Sequence, residues 1–139
     1  GRYNLKTDLV ELANAGHQPA LLKNDKEFKE FPSSSVPLAV TKHKDENVYK
    51  LENFKLNGGR IYCFTDGFSE CLDDNKQEIG INGVKELIIK HQNSSLKREL
   101  EDATEEIRLK SLKKGSVEKG IKENNDILDD DLTIIGIGK

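Results

Sequence analysis

Residues 60–70 read "RIYCFTDGFSE" and place a short apolar segment directly before an acidic turn. Ile61 to Phe64 are all apolar or aromatic, and this run has the length of a buried strand rather than of a helix. Asp66-Gly67 then supplies a residue pair that is common in turns. The stretch predicts a strand over residues 60–65 that ends at a carboxylate.

Further strands are predicted on both sides of this one. Apolar-rich segments of strand length, bounded by turn residues, occur at residues 9–13, 20–23 and 48–56. Residues 132–137 are apolar and β-branched, which predicts a last, buried strand. Asn57-Gly58-Gly59 suits the positive φ angles of a tight hairpin, so we expect strands 48–56 and 60–65 to be antiparallel neighbours.

The second half of the chain changes to a helical period. Residues 82–91 predict a short amphipathic helix capped by Asn82, with one stripe formed by Val84, Leu87, Ile88 and His91. Residues 94–115 predict a longer helix that ends at Gly115, with a stripe formed by Leu96, Leu100, Ala103 and Ile107.

The composition is that of a single water-soluble domain. The chain has 139 residues, of which 34% are charged, and its net charge of -3 gives no general attraction to nucleic acid. No apolar run approaches the roughly 20 residues of a membrane helix, and no basic segment followed by an apolar one opens the sequence. We therefore expect a cytoplasmic protein that neither binds nucleic acid nor inserts into a membrane.

Several chemical fingerprints are absent from the sequence. Cys63 and Cys71 form no Cys-x-x-Cys pair, so we expect buried reduced thiols rather than a zinc site or a disulfide. A calcium loop starting at Asp73 fails, because Glu78 stands where glycine is needed and Val84 where glutamate is needed. Serine-hydrolase, phosphate-loop and dinucleotide-binding patterns are also missing.

Two groups of carboxylates lie at strand ends. Asp66 follows the strand at 60–65, and Asp129, Asp130 and Asp131 precede the strand at 132–137. If these strands are antiparallel neighbours, the two groups meet at one edge, where a divalent cation such as Mg²⁺ or Mn²⁺ would relieve their repulsion. The alternative is that Asp66 belongs to an ordinary turn and that the acidic run is a solvated surface.

The histidines are weaker signals. His17 lies in the loop "NAGHQP" (residues 14–19), where local features alone favour an exposed loop residue. His43 is surrounded by charged residues, which favours a solvated position. His91 falls near the end of a predicted helix, where a cation is mildly favoured.

Four stretches, taken in order, give the sequence a family resemblance: "ELANAGHQPALL", "VPLAV", "LNGGRIYCFTDGFSECLDDNKQEIGINGVKELI" and "DDDLTIIGIG". Together they resemble the later part of a bacterial PPM-type serine/threonine phosphatase of the stage II sporulation protein E-like branch. This resemblance implies an α+β fold, the protein phosphatase 2C-like α/β/β/α sandwich. It also implies that residues 1–139 are the C-terminal portion of one such domain and lack its N-terminal part.

The resemblance also implies site residues. Asp66 matches one metal-ligating aspartate and Asp130 the other, while Gly67, Asp129 and Asp131 are their neighbours. The intact domain is expected to hold two Mn²⁺ or Mg²⁺ ions and to hydrolyse phosphoserine or phosphothreonine with a metal-activated water, so that no nucleophilic side chain is needed. Gly16 and His17 belong to a loop near the site, where Gly16 shapes the loop and His17 is a hydrogen-bonding residue rather than a ligand.

One motif of the family has no counterpart in this sequence. An Asp-x-x-Gly-His-Gly type loop, which bridges both ions in the family, stands well upstream of the Asn-Ala-Gly-His loop. We therefore expect the chain to be part of a longer protein with an upstream sensor or receiver domain. The 139 residues alone are expected to bind divalent metal weakly and to show little phosphatase activity.

Three functions follow from these observations. The first is a phosphatase that acts on a phosphorylated regulatory protein, of the anti-sigma-factor antagonist type, in bacterial signalling. The second is a signalling or binding module that keeps the fold without metal chemistry. The third, ranked below them, is a calcium-binding or structural carboxylate cluster. Self-association is also expected, because a partial sandwich leaves strand edges and apolar faces uncovered.

Overall fold

A computed structural model describes residues 1–37, 40, 49–93, 95–118 and 131–138, apart from the side chains of 112–118. The described elements are, in chain order, β1 (Arg2–Asn4), β2 (Leu9–Leu12), β3 (Ala20–Asn24), β4 (Glu27–Phe31), β5 (Glu52–Lys55), β6 (Arg60–Phe64), α1 (Asp66–Ser69), α2 (Gly80–Lys90), α3 (Leu96–Glu118) and β7 (Ile134–Ile137). They fall into two compact units, Gly1–Cys63 with Gly136–Lys139, and Phe64–Ile135. Together they make an α+β protein.

The described strands form two sheets, whose buried residues in the first unit share one core. One sheet has the order β1-β2-β5 and the other has the order β4-β3-β6-β7. Alternate residues of these strands face a common core, which consists of Val10, Ala20, Leu22, Phe31, Leu56 and Ile61. The rings of Phe31 and Phe54 stack across this core with their centroids 4.4 Å apart. The predicted strands at 9–13, 20–23 and 60–65 are therefore confirmed.

The turn at Asn57-Gly58 has the predicted conformation, but the predicted hairpin pairing is wrong. Asn57 and Gly58 have φ angles of 51° and 81°. However, β5 pairs with β2 and β6 pairs with β3, so the two strands belong to different sheets. The physical reason is that a tight turn fixes only its own backbone angles and does not determine which sheet the next strand joins. Here Gly59 passes close to β3, and its Cβ position lies 2.7 Å from the backbone oxygen of Lys23. The chain therefore crosses from one layer to the other at this turn.

The last strand is less buried than its composition predicts. β7 is the edge strand of its sheet among the described strands. Its residues alternate between half-buried and exposed, and Ile135 is 58% exposed. An edge position explains the difference, because a β-branched run indicates burial only when other elements cover both faces of its strand.

Helix α2 buries the predicted stripe but begins earlier than predicted. Val84, Leu87 and Ile88 are buried, as expected. The helix begins at Gly80, whose φ of +61° allows the chain to enter it from the preceding turn. Asn82 is therefore not the cap, and its Oδ1 instead lies 3.4 Å from the Nζ of Lys85, which donates to it.

Helix α3 confirms the predicted stripe and extends past the predicted stop. Ala103 and Ile107 are fully buried. The helix continues through Gly115 to Glu118, since one glycine costs only about 1 kcal/mol relative to alanine inside a helix. Near its start Glu99 is 1% exposed, and its Oε2 accepts a hydrogen bond of 3.1 Å from the backbone N–H of Asn93.

Both cysteines are free thiols, as predicted. Cys71 is buried and Cys63 is partly buried. Burial removes water from the Cys63 thiol and so raises its pKa. Among the residues that the structure describes, no helix is both long and apolar enough to span a membrane.

Candidate metal site at the end of strand β6

The candidate site begins where β6 gives way to α1. Thr65 is extended, with φ -78° and ψ 163°, and precedes the first helical residue, Asp66. The Asp66 side chain is exposed, and its Oδ1 accepts a 3.2 Å hydrogen bond from the backbone N–H of Gly67. Ser69 donates from Oγ to the Asp66 carbonyl at 3.1 Å. The turn therefore presents the Asp66 carboxylate to solvent at the strand end.

Thr65 joins this strand end to the residues that lead into β7. Its backbone N–H donates to the carbonyl of Thr133 at 3.0 Å. Its hydroxyl donates to the carbonyl of Asp131 at 2.7 Å and accepts from the N–H of Thr133 at 3.0 Å. At the other end of the strands, the Cβ position of Gly138 lies 2.6 Å from the Cγ of Arg60. The two strands are therefore antiparallel neighbours, as the strand-end argument assumed.

Gly67 completes the contact between the two stretches. A Cβ on Gly67 would lie 2.8 Å from the carbonyl oxygen of Asp131 and 3.1 Å from Cδ2 of Leu132. The first distance is too short for any side chain, so this close approach requires glycine. Gly67 was predicted to neighbour the metal ligands, and in the structure it lies against the backbone of Asp131.

The structure describes only some of the predicted site residues. Asp66 and Asp131 are brought to the same end of the neighbouring strands, and both side chains are exposed. Asp129 and Asp130 lie outside the described residues, so their roles stay predictions. Within residues 1–37, 40, 49–93, 95–118 and 131–138, no three His, Cys, Asp or Glu side chains are grouped so that they could hold a metal ion.

The chemistry of the Asp66 carboxylate suits a hard divalent cation. Both of its oxygens are anionic donors, the ligand type that Mg²⁺ and Mn²⁺ favour. None of the described lysines, arginines or histidines forms an ion pair with it, so no internal cation neutralises it in that part of the chain. The residues present therefore fit a cation that Asp66 would hold together with another acidic side chain.

The loop at residues 14–19 lies in the first unit and is organised by Asn14. The Asn14 Nδ2 donates to the carbonyls of Gln18 and Phe31 at 3.0 and 3.2 Å, and its Oδ1 accepts from the N–H of His17 at 3.0 Å. This role of Asn14 was not predicted from the sequence. The signal was present, since asparagine side chains commonly bond to backbone groups a few residues away in turns.

Gly16 shapes the loop, as predicted, and His17 is exposed. Gly16 has a φ of +83°, and a Cβ there would lie 2.3 Å from Cγ of Pro37. Its N–H donates to Oγ of Ser33 at 2.6 Å. The Nδ1 of His17 lies 3.2 Å from the carbonyl oxygen of Gln18. The predicted role of His17 near the site stays a prediction.

A cluster of ionic groups in the second unit was not foreseen. The Oε2 of Glu106 lies 2.6 Å from Nζ of Lys90 and 2.7 Å from Nε2 of His91, and its Oε1 lies 3.2 Å from Nζ of Lys110. Burial raises the pKa of Glu106, but hydrogen bonds from these three side chains outweigh burial and lower the pKa to about 2. His91 ends α2, and through Glu106 it fastens that end to α3.

The described elements thus define an α+β protein in which the end of one strand presents a carboxylate beside the start of a neighbouring strand. The family model for stage II sporulation protein E matches residues 1–138. The chain belongs to this family, and its membership implies a phosphatase of the protein phosphatase 2C type. No curated protein and no solved structure matches the chain significantly.

Proposed function

We propose that residues 1–139 form the C-terminal portion of one PPM-type serine/threonine phosphatase domain with an α/β/β/α sandwich. The family match over residues 1–138 supports this proposal, as do the two sheets that share the core of the first unit. The observation that carries it is the pairing of the Asp66 strand end with Asp131 through the Thr65 hydroxyl. If Asp66 were only a turn residue, its strand end would not need a hydrogen bond to the acidic stretch that ends at Asp131.

The proposed metal ligands are Asp66 and Asp130, with Mn²⁺ or Mg²⁺ as the cation and two ions in the intact domain. Gly67, Asp129 and Asp131 are the proposed supporting residues. Such ions would supply a water of lowered pKa and would offset the charge of the phosphoryl group. The chain's own contribution is to hold the Asp66 carboxylate at the strand end and to keep the backbone of Asp131 beside it.

The proposed substrate is a phosphorylated regulatory protein of the anti-sigma-factor antagonist type in bacterial signalling. The proposed context is a cytoplasmic protein with an upstream sensor or receiver domain. Self-association is a further proposal, and the exposed Ile135 and Ile137 on an edge strand support it.

The experiment is a Mn²⁺ titration of the unaltered chain and three variants. We expect Asp66→Asn and Asp130→Asn each to weaken Mn²⁺ binding by about tenfold or more, because each removes an anionic ligand. Asp74→Asn is the matched control, because Asp74 is exposed in a separate turn and the change in charge is the same. Unchanged affinity in Asp66→Asn would refute the proposed site.

A second candidate function is a phosphatase-fold signalling or binding module without metal chemistry. If no concentration of Mn²⁺ or Mg²⁺ used in the titration binds to the folded chain, this second function replaces the first.

A further inference from the structure

The Thr65 hydroxyl holds Asp131, which lies outside the paired part of β7. Strand β7 begins at Ile134, so Asp131 lies three residues before the paired segment. The backbone N–H of Thr65 already donates to the carbonyl of Thr133, and this bond does not depend on the side chain. The hydroxyl adds a 2.7 Å bond to the Asp131 carbonyl and a 3.0 Å bond from the Thr133 N–H. One hydroxyl can make both bonds, because it has one donor proton and two acceptor lone pairs.

Gly67 makes the same region sensitive to small movements. The Asp131 carbonyl approaches within 2.8 Å of the Gly67 Cβ position. The carbonyl is therefore fixed by a hydrogen bond from Thr65 and by the backbone of Gly67 against it. Both residues flank Asp66 directly in the sequence, so the residues on each side of this carboxylate contact the 131–133 backbone.

We propose that Thr65 is a positioning residue for the cation bound by Asp66, and that its hydroxyl sets the distance between Asp66 and the backbone of Asp131. This inference rests on the proposed function. Side chains that orient ligands without touching the metal commonly change metal affinity by about 10- to 100-fold when they are removed. Thr65 acts in this proposal through the backbone and not on the cation itself, because its hydroxyl donates to the Asp131 carbonyl and accepts from the Thr133 N–H.

The test compares Thr65→Val, which keeps the shape and removes the hydroxyl, with Thr65→Ser, which keeps the hydroxyl. Thr104→Val is the matched control, because the Thr104 hydroxyl donates to the Leu100 carbonyl within α3 at 2.8 Å. We expect Thr65→Val to weaken Mn²⁺ binding by about tenfold or more and to speed amide hydrogen exchange at Thr133. Thr65→Ser and Thr104→Val should stay within about twofold of the unaltered chain, a smaller change than loss of an orienting group produces.

Three outcomes are decisive. If Asp66→Asn weakens Mn²⁺ binding and Thr65→Val does not, the proposed site stands and the role of Thr65 is wrong. If Asp66→Asn has no effect, the proposed site fails and the role of Thr65 fails with it. Loss of affinity in Thr65→Ser equal to that in Thr65→Val would also overturn the inference, because the hydroxyl would then not be the active feature.

A measurement on the unaltered chain keeps the inference testable if Thr65→Val does not fold. Because coupling between metal binding and backbone order is reciprocal, added Mg²⁺ should slow hydrogen exchange at the Thr133 amide. The Leu22 amide, in the core of the first unit, is the internal reference. Equal exchange rates at Thr133 with and without Mg²⁺ would overturn the inference.

Discussion

The carbonyl oxygen of Asp131 lies 2.8 Å from the position that a Cβ on Gly67 would occupy. The atom in the way belongs to the backbone, so it cannot rotate aside as a flexible side chain could. Any residue larger than glycine must therefore move the 131–132 backbone away from the start of α1.

This contact predicts the effect of Gly67→Ala. We expect the variant to lower the free energy of unfolding by about 1–3 kcal/mol, the usual cost of adding atoms to a closely packed position. Urea denaturation measures this change. Gly58→Asn is the control, because nothing lies within 4 Å of the Gly58 Cβ position and asparagine tolerates its φ of +81°. A Gly67→Ala variant as stable as the control would contradict the observed packing.

The loop at residues 14–19 predicts a second stability effect. Asn14→Ala removes two hydrogen bonds to the carbonyls of Gln18 and Phe31 and one from the N–H of His17. We expect a loss of about 1–3 kcal/mol, because three hydrogen bonds of the loop, two of them to partly buried carbonyls, are removed. The control is Asn53→Ala on the exposed face of β5. Equal stability of the two variants would show that Asn14 does not organise the loop.

The fold could be predicted where local chemistry and burial agree. The strand over 60–65 and its acidic end were predicted from an apolar run before Asp-Gly. Helices α2 and α3 were predicted from the helical spacing of their apolar residues. Strand β4 was not predicted, because "EFKEF" (Glu27–Phe31) is largely charged and only its edge position makes that composition suitable for a strand. The crossing at Asn57-Gly58 was missed because a turn fixes local geometry without choosing the sheet of the next strand.

The sequence predicted that the candidate site lies where two strand ends meet. It did not predict the contacts of Thr65 and Gly67 that hold these strand ends together. That Asp66 meets residue 131 followed from assuming antiparallel neighbours. The Thr65 hydroxyl and the Gly67 contact depend on three-dimensional register, which one sequence does not provide. The Glu106 cluster was missed for a similar reason, since its members come from the end of α2 and from α3 and look like ordinary surface residues in the sequence.

The Glu106 cluster predicts how stability depends on pH. The pKa of Glu106 in the folded state is about 2, below its ordinary value of 4.5. The ionised Glu106 therefore contributes its full stabilisation above pH 4.5, and this stabilisation is lost as the pH falls toward 2. That difference in pKa corresponds to about 3 kcal/mol as an upper bound, and Lys90 and Lys110 stay charged throughout. Glu106→Gln should therefore flatten the decline in unfolding free energy between pH 4.5 and pH 2.

The control for this measurement is Glu101→Gln. Glu101 is exposed and lies 3.6 Å from Lys97 in a surface pair, which contributes about 0.5 kcal/mol or less. Its variant should follow the pH dependence of the unaltered chain. If Glu106→Gln also follows it, the three hydrogen bonds do not lower the pKa of Glu106 in solution.

The last prediction concerns catalysis by the 139 residues alone. Asp66 and Asp130 can supply only part of the oxygen shell, of about six ligands per ion, that two Mn²⁺ or Mg²⁺ ions require. We expect phosphate release from a phosphoserine protein to stay near background at Mn²⁺ concentrations that saturate the titration. The control is the same assay with Asp66→Asn. Rapid Mn²⁺-dependent hydrolysis that Asp66→Asn abolishes would confirm the site and show that no further ligands are needed, because this variant changes a single carboxylate to its neutral amide.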